Sequence, residues 1–180
     1  MIDYTDTDII PSEISVGMVG AGLMGRSIAA CLLASGHTII VIVLGMEEEQ
    51  DVKEAVRNHL DGLEVESTTN PKELMGKMTI SDDYHMLSQC GMVLEVITED
   101  VEAKKEVYRK IEEVVSDEVP IGSNTSAIPV TLLQEGAKHP ERFVGIHWGE
   151  PAHIMRFMEI ICGKQTDVTY GHFVKALAEQ

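Results

Sequence analysis

Residues of two kinds in this chain could do chemistry. The first is a glycine run, Gly20-Ala21-Gly22-Leu23-Met24-Gly25, set between a short apolar stretch (Ser15–Val19) and a helical pattern. The G-x-G-x-x-G spacing suits a ligand with phosphates. Gly20 permits a sharp turn out of a strand. Gly22 lacks a Cβ and lets a pyrophosphate reach the backbone, and Gly25 lets helix and strand pack closely. At Leu23 and Met24 the helix start offers unbonded N–H groups and partial positive charge. A plain tight turn would need no ligand, but a strand before it and a helix behind it favour a dinucleotide.

The second kind is acid–base. His147 ends the apolar run Phe143-Val144-Gly145-Ile146-His147. Lone histidines are more often structural. At a strand's carboxyl end, in a chain whose glycine turn suits a hydride-carrying dinucleotide, a histidine can take a hydroxyl proton as hydride leaves. Glu159 lies within Met155–Ile161, where an unpaired carboxylate is costly to bury. His147 is a candidate partner, because a carboxylate on imidazole fixes the tautomer and stabilises the cation. The alternative is an edge strand with Glu159 in water. Ser123-Asn124-Thr125-Ser126 closes another predicted strand, where ligands sit in open α/β sheets, though such residues also cap helices. Glu95 stands inside the apolar run Met92–Ile97, while Glu99 and Asp100 read as favourable charges at a helix start.

Alternating elements must position these groups. Strands are expected at Thr38–Leu44, Met78–Ser81, Met92–Ile97, Val119–Ser123, Phe143–His147 and Met158–Cys162. Helices are expected over Gly22–Ser35, Glu47–Leu60, Pro71–Met75, Glu99–Ser116 and Pro129–Ala137, and from Thr166 to the last residue. Glu102 and Glu106 would pair locally with Lys105, Arg109 and Lys110. The alternation predicts a doubly wound, mostly parallel α/β sheet over residues 14–180, behind a flexible acidic leader at 1–13. The chain stops within a helical pattern, which suggests a further domain.

The 180 residues carry 30 acidic against 14 basic side chains, a net charge of −16, which argues against a nucleic-acid partner. No run is apolar enough to cross a membrane. Cys31, Cys90 and Cys162, in apolar surroundings without a C-x-x-C, are expected to be reduced, buried and inert in a cytoplasmic protein.

Together these landmarks resemble the N-terminal domain of the L-3-hydroxyacyl-CoA dehydrogenase family across residues 15–180. The glycine turn, Glu95 through Lys104, Ser123–Ser126, Pro140–Phe143, His147 with Pro151-Ala152-His153, and Glu159 fall in order. Ser126 and His147 are 21 positions apart, and His147 and Glu159 are 12 apart. The resemblance implies a Rossmann-type domain that binds NAD, with Gly20, Gly22, Leu23, Met24, Gly25, Glu95, Lys104 and Asn124 at the cofactor. It implies His147 as general base, Glu159 orienting it, Ser126 on the substrate oxygen, and no metal. The substrate would be a 3-hydroxyacyl-CoA, and a helical C-terminal domain would close the site and form a homodimer.

Two departures temper the resemblance. Val43 stands where the family has an aspartate for the NAD ribose, with Glu47 to Glu49 the nearest acids and no arginine nearby, so NADP is not excluded. After the base, His147-Trp148-Gly149-Glu150-Pro151 replaces the family's His-Phe-Phe-Asn-Pro, which opens the substrate to a related small 3-hydroxy acid. A non-catalytic dinucleotide-binding module is the alternative of another class. A neighbouring 3-hydroxyacid dehydrogenase is the weakest, because its catalytic lysine has no matching motif here.

Overall fold

Strands buried on both faces organise the fold. The computed structural model describes residues 13–63, 70–155 and 157–179. The expected leader, apart from Glu13, lies outside the described residues, as do Arg156 and the final helical position, Gln180. The strands are β1 (Ser15–Val19), β2 (Thr38–Ile42), β3 (Met78–Ser81), β4 (Met92–Glu95), β5 (Ile121–Ser123), β6 (Phe143–Trp148) and β7 (Met158–Cys162). The helices are α1 (Leu23–Ala34), α2 (Glu49–Gly62), α3 (Pro71–Met75), α4 (Val101–Val114), α5 (Val130–Leu133) and α6 (Val168–Ala178). One seven-stranded sheet runs β3-β2-β1-β4-β5-β6-β7. All neighbours are parallel except β6 and β7.

Period-two side-chain direction explains the two layers. Ile39 and Val41 of β2 join α1, α2, α3 and α6 through Ile28, Val56, Leu74 and Phe173. Ile40 and Ile42, on the opposite face, join α4 and α5 through Tyr108, Ile111 and Leu133. Both faces of the central strands are covered, so these strands read as unbroken apolar runs. From β1 the chain builds outward to β3, then returns to lay β4 on the other side of β1. That reversal opens a crevice at the carboxyl ends of β1 and β4, the usual ligand position in such sheets.

Several expectations need correction. β2 stops at Ile42, and Leu44 is wholly exposed. The helix expected over Pro129–Ala137 is a single turn, α5: Gly136 adopts φ +84 and Gln134 bonds outward to Pro140 and Thr166. Between β3 and β4 the chain forms a 3₁₀ helix, Tyr84–Gln89. Lys110 pairs with Glu106 as expected, but Lys105 reaches across to Glu135. All three cysteines are free thiols, yet only Cys90 is buried; Cys31 is half-buried, and Cys162 is exposed on edge strand β7. Burial raises the Cys31 and Cys90 thiols to about 11, which keeps both protonated and unreactive near neutrality.

Candidate functional site

The glycine turn is shaped for a close approach. Gly20 adopts φ +106, and a Cβ there would stand 2.5 Å from the Val96 carbonyl oxygen. Its N–H donates to the Ile42 carbonyl at 3.0 Å, which fastens the turn to the end of β2. A Cβ at Gly25 would strike the Gly20 carbonyl oxygen, so helix and turn touch backbone to backbone. Gly22 is different: nothing lies within 4 Å of where its Cβ would be. The turn is therefore closed beneath and open above Gly22. α1 begins there with no side-chain cap and no acidic residue in its first turn, leaving its first N–H groups for a ligand. Leu23 is exposed and Met24 half-buried beside this opening. Such a cradle fits the pyrophosphate of a dinucleotide.

The acid–base pair comes from the sheet's one antiparallel ladder. His147 of β6 and Glu159 of β7 are register partners, so both side chains leave the same face directly opposite each other. His147 Nδ1 donates to Glu159 Oε2 at 2.7 Å. β7 is an edge, and the Glu159 side chain is 50% exposed against 26% for His147. The two expectations for Glu159 are thus both met: it stands on an edge strand in water, and it holds the histidine. With Nδ1 engaged, Nε2 is the nitrogen left for proton transfer.

β5 lies beside β6, with Ser123 opposite Gly145, so Asn124 to Ser126 emerge next to Ile146 to Trp148. Asn124 Oδ1 accepts from the Trp148 N–H at 3.0 Å and ties the two strand ends together. Ser126 is exposed on this loop.

Glu95 and Lys104 differ from expectation. Their side chains are 0% and 1% exposed, sealed under the loop and bonded to each other at 2.6 Å. Glu95 also accepts from Tyr108 Oη, Ser123 Oγ and the Ile97 N–H at 2.7, 2.7 and 2.8 Å. Burial, then the Glu95 charge, holds the Tyr108 phenol above its usual range, so it stays a donor. Every lone pair of the carboxylate that faces the chain is used. This pair therefore supports the cofactor crevice from below, with no side-chain surface to offer a ligand.

Glu99, read from the sequence as a helix-start charge, does more. Its Oε1 accepts from Thr125 Oγ1 at 2.6 Å and from the Ser126 and Ala127 N–H groups at 2.9 Å each. Lys104 Nζ lies 3.4 Å from Oε2. Partial burial raises the Glu99 carboxyl, but these hydrogen bonds and Lys104 outweigh it and bring it down to about 2. A depressed folded-state value means that the stabilisation is complete above the ordinary value of 4.5 and lost as pH falls through about 2. The Ser126 and Ala127 amide signals in NMR should accordingly shift with a midpoint near 2. A midpoint at an ordinary carboxylate value would show that Glu99 does not hold this loop.

A second grouping, absent from the sequence reading apart from His153, joins α1, α2 and the β6–β7 connection. Ser27 Oγ lies 2.8 Å from His153 Nδ1 and accepts the His153 N–H at 3.1 Å. The His59 and His153 rings stand 4.1 Å apart between centroids. Burial, then the charges of His153 and Arg26, holds His59 below the usual imidazole range. Among the described residues no cluster of three or more acidic, histidine or cysteine side chains could hold a metal, and no helix is long and apolar enough to cross a membrane.

Relatives share the fold. Residues 15–180 match the family described as 3-hydroxyacyl-CoA dehydrogenase, NAD binding domain. A Deinococcus radiodurans protein named "Probable 3-hydroxybutyryl-CoA dehydrogenase" is 30% identical over 166 residues, which is 91% of this chain and 60% of that protein. The 5-formyl-3-hydroxy-2-methylpyridine 4-carboxylate 5-dehydrogenase of Mesorhizobium japonicum is 31% identical, over 84% of this chain and 50% of the relative. The crystal structure of (S)-3-hydroxybutyryl-CoA dehydrogenase from Ralstonia eutropha superposes with a TM-score of 0.86 at 30% identity, covering 92% of this chain and 59% of that one. The chain thus spans about half to three fifths of these relatives. It belongs to the 3-hydroxyacyl-CoA dehydrogenase family, of which residues 15–180 form the NAD-binding domain.

Proposed function

We propose that this chain is the cofactor-binding part of an enzyme that moves hydride between the 3-hydroxy group of a 3-hydroxyacyl-CoA and NAD. The observation that carries the reading is the His147–Glu159 pair, held at 2.7 Å by strand register on the sheet that also bears the glycine turn. Backbone groups at Gly20, Gly22, Leu23, Met24 and Gly25 hold the dinucleotide, and Asn124, whose oxygen is used by the Trp148 N–H, has its amide nitrogen left to donate to it. Glu95 and Lys104 brace that crevice from beneath. Bound NAD supplies the hydride acceptor. His147 Nε2 takes the hydroxyl proton, Glu159 keeps Nδ1–H in place and stabilises the cation, and Ser126 donates to the substrate oxygen. The free thiols fit a cytoplasmic protein. Association as a homodimer belongs to the same reading, through parts of the protein beyond this domain.

The test is an assay of the protein that carries this domain, following NADH formation with 3-hydroxybutyryl-CoA and, in parallel, with free 3-hydroxybutyrate. Turnover of the thioester well above that of the free acid is expected. NADH binding without oxidation of either compound would overturn the catalytic reading and favour a dinucleotide-binding module without chemistry.

A further inference from the structure

Position 43, at the end of β2, holds a buried valine, so the usual carboxylate for the adenosine ribose is missing from its place. The residues that follow pass beside the glycine turn, because the Gly20 N–H is fastened to Ile42. Gly45 there is extended, with φ −159 and ψ 150, a backbone that any residue adopts. Its lack of a side chain needs another reason, and Glu47 supplies one. The Glu47 carboxylate folds back over Gly45 and fills the space of the missing Cβ: Oε1 would lie 2.5 Å and Cδ 2.6 Å from it, with Oε2 closer still. Glu47 also stands in the first turn of the helical run that begins at Met46, where a carboxylate is favoured by the helix dipole. That accounts for an acid at 47 but not for a glycine at 45.

We propose that Glu47, seated over Gly45, replaces the missing acid at position 43 and selects NAD over NADP. Its carboxylate accepts from the adenosine ribose hydroxyls and repels a 2′-phosphate. No lysine or arginine occurs between residues 38 and 52 to offset that repulsion. The inference rests on the cofactor site described above, and it assigns the selecting role to an exposed residue four positions beyond the expected one.

Fluorescence titration of the full chain with NADH and NADPH tests it without relying on turnover. Wild type should bind NADH at least about tenfold more tightly than NADPH. Glu47→Gln should weaken NADH by roughly tenfold, the size of a lost charge-assisted hydrogen bond, and bring the two nucleotides together. Gly45→Ala, which leaves the charge in the chain but displaces the carboxylate, should do the same, whereas Glu48→Gln should leave the preference intact. Equal binding of the two nucleotides by wild type would overturn the proposal, as would a preference unchanged within about twofold in Glu47→Gln or Gly45→Ala. Failure of wild type to bind NADH at all would overturn the cofactor reading, and this inference with it.

Discussion

His147→Gln is expected to lower kcat by roughly 10²- to 10⁴-fold, the usual contribution of a positioned general base, while leaving NADH affinity unchanged. Glutamine keeps about the length of the side chain and can still donate to Glu159, so strand pairing should survive. It cannot accept and hold a hydroxyl proton. The separation of effects is the informative part, because the glycine turn proposed to hold the cofactor packs on Ile42, Val96 and its own Gly20 rather than on position 147. Glu159→Gln should cost less. Its side chain is half exposed, and water can take over part of its role. Steady-state kinetics with a 3-hydroxyacyl-CoA, paired with an NADH titration of each variant, reads both quantities. Turnover close to wild type in His147→Gln would remove the histidine from the mechanism, whatever its geometry.

Lys104→Met should be the most damaging single change to the fold outside the apolar core. Methionine matches the lysine stem but leaves Glu95 without its counter-charge, at a site with 0% exposure. Removing one partner of a buried ion pair costs about 3–5 kcal/mol, a large part of the roughly 5–15 kcal/mol that stabilises a domain. Three hydrogen bonds to Glu95 remain, from Tyr108, Ser123 and the Ile97 N–H, and they set the lower end of that range. The double variant Glu95→Gln/Lys104→Met should recover much of the loss, because a neutral amide needs no counter-charge and its oxygen can still accept from the Tyr108 and Ser123 hydroxyls. Urea unfolding of the two single variants and the double variant closes a cycle whose coupling energy isolates the pair. A loss below about 1 kcal/mol in Lys104→Met would show that the three neutral donors suffice and that the charge is dispensable.

These expectations also mark what could be read from the chain before its fold. The apolar runs announced the central strands, since a strand buried on both faces reads as a continuous apolar run, and the glycine spacing announced the turn. The His147–Glu159 pair was legible because a carboxylate inside an apolar strand needs a partner, while the register that brings the two together was not. Glu99 was not. Its three donors sit 26 to 28 positions away on another loop, and a tertiary hydrogen bond of that kind leaves no local pattern. The burial of Lys104 was hidden for a related reason: α4 reads as a charged, solvent-facing helix, and only the apposed end of β4 makes one of its lysines internal. The short α5 and the antiparallel β7 depended on how neighbours packed, which alternation alone does not report.

The β6–β7 ladder has a consequence for how such a protein changes over generations. His147 and Glu159 are fixed to the sheet by main-chain pairing. The connection between them has internal bonds of its own, from the Gly149 N–H to the Phe157 carbonyl and from the Ile154 N–H to the Pro151 carbonyl, and is anchored to α1 through Ser27 and His153. It carries Ile154, Met155 and Phe157 outward. Recharging that tip leaves the His147–Glu159 pair where it was, because the strand ladder sets it. Mutation at the exposed Ile154, Met155 and Phe157 can thus alter the hairpin tip while the main-chain register that sets His147 opposite Glu159 is inherited intact.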